Sequence, residues 1–372
     1  MMKYFLIILL FYHSLQKSKV YFTKDITSSN MVKMFKLLNV TLSGNIGLKV
    51  HSGEIGGKYF LSPNFLQEIY DYTNGTFIEC NTAYKGGRHS TELHRELLFN
   101  HSWLDNDRRF VIMDENPDDD FNLTVDDPLV ISENIVGAHL NEFNSCIVLS
   151  HLKGHQMGGF GGALKQLSIG FGSQKGKTWI HTGGKTTDWT QMFNKTADQI
   201  TFTNAMGDAA SSIVKYFRER GGIVFLNVMS NISLYCDCAG GNAPAPKIHD
   251  MGILASTDPV AIDKACLDLI KNHLDIGTDE FLDQIKRLEG ENTIAAAEKH
   301  KIGIQDYELI DIDPDEPDNS GSALLIIIII CSVVAILIIG GIVAIVIYKK
   351  RQEPRESTGK ISLINRSTEK ME

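Results

Sequence analysis

The chain has 372 residues, 43% of them hydrophobic and 22% charged, with a formal net charge of −9. That length can bury one large α/β core or two smaller lobes, and the acidic balance argues against nucleic acid as a partner. Six cysteines in so long a chain exclude a disulfide scaffold as the source of the fold.

In chain order, Lys3 precedes the apolar run Phe5–Tyr12, too short to span a bilayer. Its pattern predicts a signal peptide over 1–18, the alternative being an uncleaved anchor. The domain itself is expected over 20–310. Within it, short apolar runs predict strands at 46–50, 76–79, 110–113, 145–149, 223–228 and 251–255. Amphipathic spacing predicts helices at 31–38, 63–72, 91–100, 162–167, 208–220, 259–272, 279–289 and 293–300. The stretch 114–127 reads as an acidic loop. Strands alternating with helices imply an α/β fold with a largely parallel sheet, covered by helices on both faces.

After an acidic stalk at 311–322, residues 323–348 read as a transmembrane helix; Ala323–Ile347 is free of charge over 25 residues, about 37 Å as a helix. Basic residues follow it and acidic ones precede it, so residues 349–372 are expected to be a cytoplasmic tail. The tail holds seven basic and four acidic residues, leaving the rest near −12. The expectation is a single-pass type I protein of the plasma membrane or another secretory-pathway membrane, its domain outside the cytosol. Asn39, Asn74, Asn100, Asn122, Asn194 and Asn231 stand in glycosylation sequons, in keeping with a glycoprotein.

Chemistry concentrates in four clusters that follow or end predicted strands, where parallel sheets bind ligands. They are Lys49–Glu54, Asn81–His89 with His94 in the next helix, Ser150–His181, and Cys236–Gly241. The third packs three histidines, four lysines and eight glycines into 32 residues. Gly158, Gly159, Gly161 and Gly162 lead into a helix bearing Lys165, so their amides read as an anion site or as a tight turn against a close neighbour. Lys153 and Arg88 are candidate anion binders. Cys80 and Cys146 read as buried thiols or one bridge. On an extended segment Cys236 and Cys238 would share a face and, with a third ligand such as His249 or Asp237, hold a metal. Reactive thiols and a structural role are the alternatives.

These segments resemble the domain of unknown function 362 family over about residues 20–272. The similarity rests on KVHSGE (49–54), NTAYKGGR (81–88) with His94, SHLKGHQMGGFGGALKQLSIGFGSQKGK (150–177) with His181, and CDCAGGNAPAPKIHDMGILASTDPVAIDKACLDLI (236–270). Bacterial members often carry an inserted ferredoxin module after the position of His181. Here no cysteine lies between His181 and Gly222, so no ferredoxin-type iron–sulfur motif is expected. The resemblance favours His94 over His89. His155, Lys165 and His181 are also spaced like three residues of the nickel-pincer lactate racemases. That likeness implies Lys165 as the cofactor tether, His181 as metal ligand and His155 as proton-transfer base. The expected function is binding of an anionic small molecule or cofactor, with metal-dependent proton transfer or redox chemistry; a non-catalytic surface binding or adhesion module is the alternative. Catalytic candidates are His94, His155, Lys165 and His181, and metal candidates are His181, Cys236 and Cys238.

Overall fold

A computed structural model describes residues 17–313 and 344–345. Among these, twelve strands are formed: β1 (Ser18–Thr23), β2 (Ile46–Lys49), β3 (Thr76–Glu79), β4 (Phe110–Ile112), β5 (Asp120–Thr124), β6 (Glu133–Gly137), β7 (Ser145–His151), β8 (Lys153–His155), β9 (Gly159–Gly161), β10 (Ile223–Met229), β11 (Gly252–Ser256) and β12 (Tyr307–Asp311). The helices are α1 (Ser28–Leu37), α2 (Gln67–Thr73), α3 (Thr91–Asn100), α4 (Ala163–Lys165, continued by a π-turn over Gln166–Gly170), α5 (Gln174–His181), α6 (Gln199–Arg218), α7 (Pro259–Lys271), α8 (Thr278–Arg287) and α9 (Gly290–Lys299).

Eight strands form one sheet in the order β12-β1-β11-β10-β7-β2-β3-β4. The run from β10 to β4 is parallel throughout, and β12 is parallel to β1. β11 runs against both its neighbours. This is the α/β architecture with a largely parallel sheet that the alternation implies. β7 and β10 are buried along their whole length. Val148 and Phe225 pack with Leu164, Ile213 and Ile262 on one face. Ile147 and Leu226 pack with Met31, Ile69 and Trp103 on the other. Continuous burial on both faces is why these strands read as unbroken apolar runs.

Helix starts follow their caps. Asp258 accepts from the amides of Val260 (2.8 Å) and Ala261 (2.9 Å) just before Pro259 opens α7, a capped start with proline in the first turn. α6 begins nine residues before the expected start at 208, capped by Asp198 on Thr201 N (3.0 Å). Asp208 does not cap α6; its carboxylate accepts from the amides of Leu129, Val130 and Ile131. α5 was not anticipated, because Gly176 and β-branched Thr178 are poor helix formers. Ser173 caps it, and Gly176 is needed because a Cβ there would strike the Ile135 carbonyl.

Several expectations change at the edges. The acidic stretch 114–127 contains β5, which pairs with β6. The stalk expected from 311 is partly folded: Asp311 ends β12, and Asp313 accepts from Thr23 Oγ1 (2.5 Å) and Lys24 N (2.7 Å). Ser18, inside the expected signal segment, begins β1 and donates to Asp258 (2.6 Å); residues 1–16 lie outside the described residues. The expectation of a single-pass type I membrane protein is corrected: among the described residues no helix is long and apolar enough to cross a membrane. The stretch 323–348 that suggested it, and the tail 349–372, lie outside the described residues apart from Ala344 and Ile345.

Candidate functional site: a cavity at the carboxyl ends of four strands

The sheet order sets β10, β7, β2 and β3 side by side and parallel, so their carboxyl ends open on one place. Each delivers one of the four clusters. β2 leads to His51, β3 ends at Glu79 and leads to Tyr84 and Arg88, β7 leads into the β8–β9 hairpin, where His155 ends β8, and β10 leads to Cys236–Cys238. Together with Lys165, Lys177 and His181 they surround a cavity of about 330 Å³. Met157, Ile169, Met192 and Phe193 give it an apolar side.

Cys236 is fully buried, while Cys238 is half-buried and lines the cavity. The pair does not lie on an extended strand. Cys236 instead caps a 3-10 turn over Asp237–Asn242, its sulfur accepting from Cys238 N (3.4 Å). Lys165 Nζ donates to the same sulfur (3.3 Å), and His51 Nε2 stands 4.0 Å from it. Burial would raise the Cys236 pKa, but the Cys238 contact, the Lys165 ammonium and the His155 and His51 rings together bring it well below the usual thiol range. Cys238 moves the other way, because the Cys236 sulfur beside it and burial both disfavour a second thiolate. The two sulfurs thus titrate as a pair, with the thiolate favoured at Cys236. Burial pulls Lys165 down, yet the Cys236 charge overrides this and holds it above an ordinary lysine.

Ligand atoms of His155, Cys236 and Cys238 lie within 4.8 Å of one another; the metal candidate His181, and His249 and Asp237, considered as third ligands, are not in that group. The His155 ring argues against an ion there. Its Nδ1 accepts from the amides of Gly158 (2.9 Å) and Met157 (3.2 Å), which leaves the neutral ring's proton on Nε2. Nε2 is then a donor, neither a ligand nor the base that the sequence likeness implied. His51 Nδ1 likewise accepts from Gly53 N (3.1 Å), while its Nε2 faces both Arg88 Nη2 (3.4 Å) and the Cys236 sulfur (4.0 Å).

His181 is the opposite case. Its Nδ1 donates to Lys177 O (2.7 Å), and the ring stacks on Phe202 (centroids 4.8 Å apart). The free lone pair is therefore on Nε2, at the cavity wall. Burial, with His155, Lys165 and Lys177 close by, pushes its pKa down to about 4. His51 is likewise pushed to about 4 by burial and Arg88.

Arg88 enters from the β3 side. Its Nη1 donates to Glu79 Oε1 (2.6 Å) and its Nη2 to Tyr84 Oη (3.2 Å). Glu79 also accepts from Ser52 N (3.0 Å). Burial alone would raise Glu79, but Arg88 and His94 hold it well below the ordinary carboxylate range. His94 lies behind this pair, between Glu79 (3.2 Å) and Asn81 (3.0 Å), and does not reach the cavity. Lys177 Nζ donates to Gly172 O (2.6 Å). Lys49, fully buried, donates to Gln166 (3.0 Å), and burial lowers its pKa to about 8.

The glycine segment has another use than the anion site expected of it. At the start of α4 the amides of Ala163 (2.8 Å) and Leu164 (2.9 Å) donate to Asp263, so the protein's own carboxylate fills the place of a bound anion. A Cβ at Gly162 would run into that carboxylate, and Gly159, at φ +79°, passes against Gly290. None of Gly158, Gly159, Gly161 and Gly162 lines the cavity. Lys153 is also spent, on Asp237 (2.7 Å), which accepts from His151 as well (3.0 Å). The structure thus brings together Arg88, His155, Lys165, His181, Cys236 and Cys238. It adds His51, Glu79, Tyr84 and Lys177; their position just past a strand end was the available signal for the first three.

Several solved structures are similar. The lactate racemase apoprotein from Thermoanaerobacterium thermosaccharolyticum matches at 12% identity and a TM-score of 0.38, over 67% of this chain and 56% of that one. A protein from Thermotoga maritima matches at 12% identity and a TM-score of 0.37, over 73% of this chain and 59% of that one. The chain thus spans somewhat more than half the length of each. No curated protein matches it. The family described as a domain of unknown function, DUF362, matches residues 46–268, and the chain belongs to that family.

Proposed function

We propose that the cavity binds a small organic anion and moves a proton on it. The reading is carried by one observation: the neutral His181, its lone pair at Nε2, lines a cavity together with Arg88, Lys165 and Lys177 and a single carboxylate, Glu79, while Glu54, 3.6 Å from Arg88, lies outside the lining. The excess cation draws an anion, and the apolar side removes water that would screen the attraction. A buried, neutral imidazole beside that anion is placed to take a proton from a carbon next to a carbonyl. Arg88, fixed by Glu79 and Tyr84, orients the acid group.

The reading uses no iron–sulfur module, none being expected from the sequence between His181 and Gly222. A nickel-pincer group would need both His181 and Lys165. His181 has the free lone pair a ligand requires, but Lys165 is engaged by Cys236, so the two residues do not fit that group together and no step is derived through it.

The test is exchange in deuterium oxide. Purified protein is incubated with short 2-oxo carboxylates and followed by proton NMR. Deuterium entering next to the carbonyl with the wild type, and about 100-fold more slowly with His181→Ala, supports the reading. Saturable carboxylate binding by calorimetry with no exchange would sink it in favour of a binding module.

A further inference from the structure

One polar side chain in the cavity wall is held by the protein at one end only. Gln166 opens the π-turn Gln166–Gly170 after α4, is 6% exposed and lines the cavity. Its Oε1 accepts from Lys49 Nζ (3.0 Å). Lys49 is fixed in turn by donating to Val50 O (2.7 Å), with its ammonium 5.7 Å from the centre of the Phe171 ring. Gly170 leaves room for this pair: a Cβ there would stand 2.5 Å from Gln166 Oε1 and 3.2 Å from Lys49 Nζ. A lysine ammonium only donates, so the amide oxygen must face Lys49 and the amide nitrogen must face away from it. Among the described residues Nε2 has no hydrogen-bond partner, and it is not one of the walled-in polar atoms. The open side of Gln166 is the cavity. Lys165, Lys177 and Arg88 differ, since each already donates to a protein group.

We propose that Gln166 Nε2 is the donor that stabilises the oxygen on which charge gathers when the bound 2-oxo carboxylate loses its proton, and that Lys49 is a positioning residue that holds the amide in that orientation. The inference rests on the proton-transfer reading. In the step the base takes the proton from the carbon next to the carbonyl. The C–H electron pair becomes the second bond between the two carbons, and the carbonyl pair moves onto its oxygen. Reversal of the same moves with a deuteron gives the exchanged acid, so no oxidant or further reactant is required. Charge on the oxygen rises from partial to nearly full, and a hydrogen bond to it strengthens as the barrier is climbed. A neutral amide fixed in advance suits this task. It holds the ketone weakly and the enolate strongly, which lowers the barrier rather than deepening the ground state. Arg88 serves the carboxylate, which is charged throughout.

The test is the rate of deuterium entry into pyruvate and 2-oxobutanoate, followed by proton NMR on the whole chain at increasing substrate concentration. Gln166→Met keeps the length of the side chain and removes the donor. It should lower the rate at saturation about 100-fold, the usual loss for one such donor, and move half-saturation by less than about twofold. If that variant does not fold, Gln166→Glu replaces it. Its carboxylate keeps the Lys49 contact and has no hydrogen to give, so the saturating rate should fall at least as far. Lys49→Met, shown to be folded by circular dichroism, should lower the saturating rate about tenfold with half-saturation unchanged, because the amide is then free to turn. A lysine with a merely structural role would leave the rate of the folded variant untouched, and that result overturns the positioning role. A Gln166 variant that keeps the wild-type rate at saturation, whatever its half-saturation, overturns the donor and leaves the proton-transfer reading standing. A wild type that shows no exchange overturns that reading, and this inference with it.

Discussion

Cys236 and Asp237 are neighbours in the chain, yet they belong to opposite kinds of cluster. Asp237 closes a circuit: Lys153 at 2.7 Å, His151 at 3.0 Å, and the second nitrogen of His151 on Ser230 O at 2.6 Å. Every charge there has a partner, and the cluster is buried. Around Cys236 the same residue types are left with work undone: the His181 lone pair is free and Cys238 is reachable. The closed cluster is buried throughout, whereas His51, Tyr84, Lys165 and Cys238 are only half-buried. The difference between a structural cluster and a candidate site is thus whether the hydrogen-bond accounts close.

Breaking the closed cluster should have the largest effect. Asp237→Ala leaves Lys153 buried without its counter-charge and takes away the acceptor of His151 Nδ1, and should cost about 3–5 kcal/mol in urea unfolding. His181→Ala on the open side should instead lose about 100-fold in exchange, about 2.7 kcal/mol of barrier, for about 1–2 kcal/mol of stability. If both variants lose stability equally, the two clusters do not differ as described. Asp263→Asn sharpens the comparison from a third place. It removes one of two acceptors at the start of α4 and should lower the thermal midpoint by the equivalent of about 1 kcal/mol, with exchange little changed. The smallest effect concerns pH. Because the folded pKa of His181 is depressed to about 4, the basic form is lost only as pH falls through that value. Exchange should vary less than about twofold between pH 8 and pH 5, whereas an ordinary histidine would already be mostly protonated at pH 5. The same shift means that the unfolded chain binds a proton that folded His181 refuses between about 4 and 6.5. Stability from this ring therefore rises with pH across that window.

The sequence showed most of the parallel strands and the placement of the four clusters after them, because a strand buried on both faces is an apolar run and its end is marked by glycine and polar residues. It did not show which atoms of those clusters are already taken. The glycine segment reads as an anion site until Asp263, a hundred residues on, fills the Ala163 and Leu164 amides. Lys153 reads like Lys165 until the fold gives one to Asp237 and the other to Cys236. His155 and His181 differ only in which ring nitrogen meets the backbone, an acceptor's place for one and a donor's for the other. Such partners come from tertiary contacts that no local pattern records. β1 and β12 were missed for a related reason: β12 is a short, partly exposed edge strand whose partner is almost 300 residues away.

That last pairing has a consequence for how the chain is made. β1 leaves the ribosome first, but its neighbours in the sheet are β11 and β12, the last two strands of the described domain. Until residue 252 has been synthesised, β1 has neither partner, while β2, β3, β4, β7 and β10 can already join one another. The amino-terminal segment must therefore wait as an unpaired, apolar strand through most of translation. Its docking, together with Ser18 on Asp258 and Asp313 on Thr23, is a closing step that only the complete domain can take, and a nascent chain halted before β11 would expose that strand to other chains.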